Sequence, residues 1–187
     1  MNILLSSSLQ YDSIVDGEGI RTVIWTQGCP HNCRGCHNPQ THDFNKGQLV
    51  NIDKIKKELS KSKNQDGITL SGGEPFCQPE ACLEIAIYAK KLDLNVWCYT
   101  GYTFEQLLEM ALVDNKYIKL LEKIDVLIDG KFIIEQKTFS LKFRGSKNQR
   151  IIDVQKSLKN NEVYLIEKYD YTTNNIKGHY QEQGIFV

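Results

Sequence analysis

Runs of β-branched and apolar residues punctuate the chain at 21–27 (RTVIWTQ), 67–71 (GITLS), 95–100 (NVWCYT) and 125–129 (DVLID). Short unbroken runs of this kind are the pattern of strands buried on both faces. Between them the period changes. Residues 52–62, 79–92 and 103–123 carry helical patterns, the last with an expected break near Asp114 and Asn115. Within 79–92, Cys82, Ile85, Ala86 and Ala89 fall on one helical stripe, and Pro79 fits an early helical position where its missing N–H costs nothing. A further strand is expected over 162–168 (EVYLIEK), and the polar run 169–184 reads as extended or loop structure.

Strand and helix in alternation build βαβ units, with parallel strands and right-handed crossovers. A complete eight-unit barrel needs about 250 residues. The 187 residues here therefore predict an α/β fold in the form of an open, partial (βα) barrel with parallel strands and fewer than eight units. No internal repeat or linker divides the chain, and a single domain over 1–187 is expected.

Composition narrows the function classes. Lys+Arg and Asp+Glu balance at 23 each, with 41% hydrophobic and 25% charged residues, the profile of an ordinary soluble globule. Such a balance argues against a nucleic-acid binder, which carries a basic excess on one face. The start MNILLSSSLQYD lacks a basic segment followed by an apolar run, and no stretch approaches the roughly 20 apolar residues of a membrane span. A cytoplasmic protein, away from membranes, is expected. Six cysteines in a reducing compartment read as ligands, reactive thiols or small buried residues rather than as disulfides.

Cys29, Cys33 and Cys36 form C-x3-C-x2-C in the loop GCPHNCRGCHNP, directly after the first apolar run. Thiolates this close, on a loop made pliant by Gly28 and Gly35, can converge on one inorganic centre. The spacing alone admits an iron-sulfur cluster, a zinc site completed by His31 or His37, redox-active thiols, or packed cysteines. On a four-iron cluster, three protein ligands leave one iron open to a substrate. Ser71 to Pro75 (SGGEP) follows the second run, Tyr99 to Gly101 the third and Asp129 to Lys131 the fourth. In parallel α/β folds ligands bind beyond the carboxyl ends of the strands, so these segments are expected to face one mouth.

CPHNCRGC followed by SGGEP resembles the radical S-adenosylmethionine superfamily, and DGEGIR at residues 16–21 is similar to its glycyl-radical-activating branch. LIDGKF (127–132) and RGSKNQRIID (144–153) resemble the activases of anaerobic, class III ribonucleoside-triphosphate reductase. The motif-bearing core is about 12–152, leaving 153–187 as a C-terminal extension without motifs. The resemblance implies a radical-SAM-type fold and one 4Fe-4S cluster on Cys29, Cys33 and Cys36, catalytic as well as metal-binding. The amine and carboxylate of S-adenosylmethionine would chelate its open iron. One-electron reduction would then release methionine and a 5'-deoxyadenosyl radical, which takes a hydrogen from a backbone glycine of the reductase. The cofactor carries the hard chemistry and the protein orients and shields it. Flavodoxin or ferredoxin is the implied electron donor.

Residue roles follow from the same resemblance. Gly72 and Gly73, with the Glu74 region, would hold the aminoacyl end, an acceptor-lined edge suiting an ammonium. Gly35, Cys36 and His37 would lie against the adenine, largely through backbone. Asp129 and Lys131 match a position where related activases place polar groups on the ribose or carboxylate, against the plainer reading of a surface pair after a strand; Thr100 is a further candidate. Many superfamily members carry an aromatic residue before the third cysteine, where Gly35 stands here, which excludes ring stacking from that position. Cys82 and Cys98 read as small core residues, Cys77, close after SGGEP, is a candidate to approach the mouth, and His31 and His42 read as plain loop residues. Three alternatives stay open: an activase of another glycyl-radical enzyme, of the pyruvate formate-lyase type; a stand-alone radical enzyme acting on a small molecule; and a zinc-stabilised interaction module without catalysis.

Overall fold

In a computed structural model, which describes residues 1–169, the elements run β1 (Asn2–Leu5), β2 (Gln10–Ser13), β3 (Arg21–Thr26), β4 (Gln48–Asn51), α1 (Ile52–Lys61), β5 (Gly67–Gly72) and α2 (Pro79–Lys91). They continue through β6 (Asn95–Tyr99), α3 (Phe104–Val113), α4 (Lys116–Leu121), β7 (Val126–Asp129), β8 (Arg150–Asp153) and α5 (Val154–Asn160). The four apolar runs became β3, β5, β6 and β7, side by side and parallel, with Arg21 opposite Gly67, Gly67 opposite Asn95 and Trp97 opposite Val126. All four strands leave the sheet at one edge.

The expectation of parallel strands needs correction beyond this core. The sheet order is β4-β1-β3-β5-β6-β7-β8, with β2 beside β3, and β1, β2, β4 and β8 are all paired antiparallel. These four strands have four residues each. In β2 and β4 most residues are exposed, so no apolar run betrays them. The strand expected over 162–168 is reduced to one bridge, Ile152 to Leu165, and a 3-10 turn at Glu167–Tyr169. Its reach is set by its short partner: Asp153 N–H donates to the Tyr164 carbonyl and Ile166 N–H to the Ile151 carbonyl, and there β8 ends. Beyond Tyr169, the run expected to be extended or loop-like lies outside the described residues.

Alternation along the parallel strands separates two faces. Ile24, Ile68, Leu70, Val96, Cys98 and Leu127 pack with Ile55, Leu59, Ile85, Ala89, Leu107 and Leu120 of the helices in the main core. The opposite face carries Trp97 and Ile128, which pack with Ile151 and Tyr169. Helix boundaries follow local chemistry. Thr103 and Gln106 form a reciprocal capping box on α3, Asn51 caps α1, and Pro79 opens α2. The break at Asp114 falls as expected.

Arg21, fully buried at the start of β3, ties the preceding loop to the sheet. Its guanidinium donates to Thr69 Oγ1 (2.7 Å) and to the Ile68 and Glu18 carbonyls, and lies 5.2 Å from the Trp97 ring centroid. Burial draws its pKa down to about 10. The loop 14–20 is thereby pinned across the face opposite the helices.

Packing of α2 on the sheet sets a stability test. Ile85→Ala, at a fully buried position, is expected to cost about 2–5 kcal/mol in urea unfolding. Leu112→Ala, on a side chain 88% exposed, is expected to stay within about 0.5 kcal/mol.

Candidate metal centre

The chain leaves β3 at Thr26 and turns through Gly28, whose φ of 93° lies in the left-handed region that glycine tolerates. Gly28 N–H donates to the Thr41 carbonyl (2.8 Å) and Cys29 N–H to the His42 carbonyl (3.1 Å), closing the cysteine segment into a loop. Cys36 N–H donates to the Cys33 carbonyl, and the Cys36 sulfur accepts from Asn38 N–H at 3.4 Å. Beside it, the turn after β5 packs backbone on backbone. Glu74 N–H donates to the Gly28 carbonyl (2.8 Å), and a Cβ on Gly73 would stand 2.4 Å from that same oxygen. No side chain fits at position 73.

Cys29, Cys33 and Cys36 are free, half-buried, and line one cavity of about 160 Å³ together with His31, His37, His42, Gly72, Gly73 and Thr100. Burial pushes the Cys29 thiol up to about 11, reinforced by the negative charges of Glu74, Cys33 and Cys36. Mutual repulsion of this sort is relieved when a cationic centre takes the thiolates as ligands. Among the described residues, no three His, Cys, Asp or Glu side chains close around a point that a single ion would fill. The fit to a cluster rests on three soft sulfur donors facing one cavity.

Glu74 is fully buried and its carboxylate accepts four hydrogen bonds. Phe76 N–H (3.0 Å) and Thr100 Oγ1 (2.9 Å) reach Oε1, while Gly101 N–H and His31 Nε2 reach Oε2, both at 2.8 Å. The His31 side chain, only 5% exposed, also lies edge-on to Tyr102 at 4.5 Å. It is no plain loop residue. No local signal could have revealed its partner, which lies 43 positions along the chain.

Two expected site residues stand elsewhere. Asp129 is buried, with Oδ2 accepting from Phe104 N–H (2.8 Å) and both oxygens bound by Arg150. The cause is register. Asp129 alternates with Ile128 and so shares the helix-side face with Leu127, where it meets the first turn of α3. Lys131 is exposed and its carbonyl accepts from Asn148. The same strand end instead brings Gly130 and Phe132 to the cavity, with Gln149. Phe132 also lies 5.0 Å from the His37 ring. Where Gly35 lacks a side chain, Ile134 fills the space, 2.5 Å from the position of an added Cβ.

A second cavity of about 680 Å³ shares His37, Asn38, Ser71, Tyr99 and Gly145 with the first, so the two adjoin. Its rim includes Ile14 and Val15, each 70% exposed. Cys82 and Cys98 are fully buried in the core, and burial raises both thiols. Cys77, half-buried and pushed up to about 12 by burial, does not line the cysteine cavity.

Arg150 joins Asp129 to Glu105, and its hydrogen bonds hold the Glu105 pKa at about 2, below the ordinary 4.5. A carboxylate with a depressed folded pKa stabilises above its unfolded pKa and loses that contribution as pH falls through the folded one. Glu105→Gln is therefore expected to flatten the acid limb of stability between pH 4.5 and 2. Unfolding curves of the two proteins across that window check this; equal acid sensitivity would contradict it.

Residues 15–152 match a family model described as a 4Fe-4S single cluster domain. The anaerobic ribonucleoside-triphosphate reductase-activating protein of Haemophilus influenzae is 38% identical over 153 residues, spanning 76% of this chain and 95% of that one. Its counterpart in Enterobacteria phage T4 is 37% identical over 156 residues, spanning 76% and 93%. Escherichia coli QueE, known from a crystal structure, is 15% identical, with a TM-score of 0.45 over 55% of this chain and 54% of that one, too slight a likeness to bear on the argument. By its sequence and its three clustered thiols, the chain belongs to the 4Fe-4S single-cluster family and, within it, to the anaerobic ribonucleoside-triphosphate reductase-activating proteins.

Proposed function

We propose that this chain installs a glycyl radical on an anaerobic ribonucleoside-triphosphate reductase, working in the cytoplasm as a single domain of partial-barrel form. One observation carries the reading: three free thiols face a small cavity at the carboxyl edge of four parallel strands, and a larger cavity adjoins it across His37, Ser71 and Tyr99. The partial barrel is supported by the three helical crossovers that join β3, β5, β6 and β7.

Cys29, Cys33 and Cys36 hold the 4Fe-4S cluster, which when bound supplies the electron that cleaves S-adenosylmethionine to methionine and a 5'-deoxyadenosyl radical. Gly72 and Gly73 let backbone approach the aminoacyl end without obstruction. The Gly35 to His37 backbone lines the adenine, and Phe132 adds an apolar wall on the same side. Asp129 orients Arg150 and α3 rather than touching the nucleoside, while Lys131, exposed beside Gly130, supplies a positive charge near the rim. The larger cavity receives the glycine-bearing segment of the reductase, with exposed Ile14 and Val15 as apolar contacts. Flavodoxin or ferredoxin delivers the electron.

Anaerobically reconstituted protein, given dithionite and S-adenosylmethionine, is expected to form 5'-deoxyadenosine. Cys33→Ala is expected to lower that rate by at least about 100-fold, more than the loss of an outer-shell partner costs. Wild-type protein that holds iron and sulfide yet forms no 5'-deoxyadenosine would contradict the proposal. Cleavage without a glycyl radical on the co-expressed reductase would reject the partner alone.

A further inference from the structure

We propose that Glu74, the acid of the SGGEP segment, is a positioning residue that acts through His31 on the cysteine loop, and not a ligand of the cosubstrate. The inference rests on the reading above that this site binds S-adenosylmethionine.

A carboxylate offers about four lone-pair sites, and at Glu74 four protein donors take them. Those donors come from three places: Phe76 behind its own turn, Thr100 and Gly101 at the end of β6, and His31 midway between Cys29 and Cys33. A substrate ammonium would have to displace one of them. Two of the four are backbone N–H groups, which cannot rotate away, and the oxygens have no solvent exposure. Against an ionised carboxylate, which only accepts, the Nε2–H tautomer of His31 is the one that completes this bond.

A second observation is independent of the carboxylate. Gly101 has no side chain where one would collide with the His31 ring, 2.3 Å from Cδ2. The ring is also held against Tyr102. Glycine, aromatic ring and carboxylate thus form a socket for one imidazole. A shift of His31 would move both flanking cysteines relative to the Gly72–Gly73 backbone that faces the same cavity. The socket therefore governs the distance between the cluster ligands and the aminoacyl subsite.

The test uses reconstituted wild-type, His31→Ala, His31→Gln, Glu74→Gln and the His31→Ala/Glu74→Gln double variant. Two readouts are the dissociation constant for S-adenosylmethionine and the electron paramagnetic resonance spectrum of the reduced cluster without it. His31→Ala is expected to weaken binding about tenfold, in the range of outer-shell ligand support, and to alter the spectrum. His31→Gln, whose amide can donate to the same oxygen, is expected to restore most of both. The double variant should bind no more weakly than Glu74→Gln, because the two side chains act as one unit. If His31→Ala keeps wild-type affinity and spectrum, or if the two losses add, the proposal is overturned. Should Glu74→Gln fail to fold, the two His31 variants decide alone. Wild-type protein that does not bind S-adenosylmethionine refutes the functional reading instead, and the spectra still decide the inference.

Discussion

Parallel pairing of β3, β5, β6 and β7 is the constraint from which the site follows. Strands that run the same way must end at the same edge, and the four loops beyond that edge carry the cysteines, the Gly-Gly turn, the Thr100–Gly101 corner and the Gly130 turn. These segments lie far apart along the chain, separated by whole helices, and the common strand direction makes them neighbours. The helices α1 to α4 supply the apolar burial that keeps the strands parallel, through a core reaching from Ile3 to Val154.

At the edge itself, close approach replaces bulk. The Gly73 position is filled by the Gly28 carbonyl, the Gly101 position by His31, and the Gly35 position by Ile134. Each contact brings one loop within reach of the cysteine segment. The buried Glu74 carboxylate then joins loops that the sheet has only made neighbours. Such saturation confers rigidity: an unsatisfied acceptor here would cost about 1–3 kcal/mol, so the loops are held where all four donors reach.

Much of this was legible in the residues. Unbroken runs such as RTVIWT announce strands buried on both faces, and the helical period that begins at Thr103 marks the start of α3. The cysteine spacing and SGGEP mark two segments that line one cavity. Less could be read where structure depends on distant partners. The edge strands β2 and β4 are short and largely exposed, so packing leaves no periodic trace. Asp129 resembled a cleft residue by its place after a strand, but a one-residue alternation sends its carboxylate to the helix side. His31 seemed unremarkable because its role is conferred by Glu74, on another loop. Phe132 and Gln149 sat inside recognised motifs without any signal of which way their side chains turn.

On the proposed function, three cysteine thiolates hold a four-iron cluster whose fourth iron is left for the cosubstrate. The most direct measurement is the electron paramagnetic resonance spectrum of the reduced, reconstituted protein as S-adenosylmethionine is titrated in. The expected result is a cluster signal that requires Cys29, Cys33 and Cys36, is indifferent to Cys77→Ala, and shifts on titration. A signal that ignores S-adenosylmethionine, or that is lost with Cys77, would mean that a protein side chain already holds the fourth iron, and would contradict it.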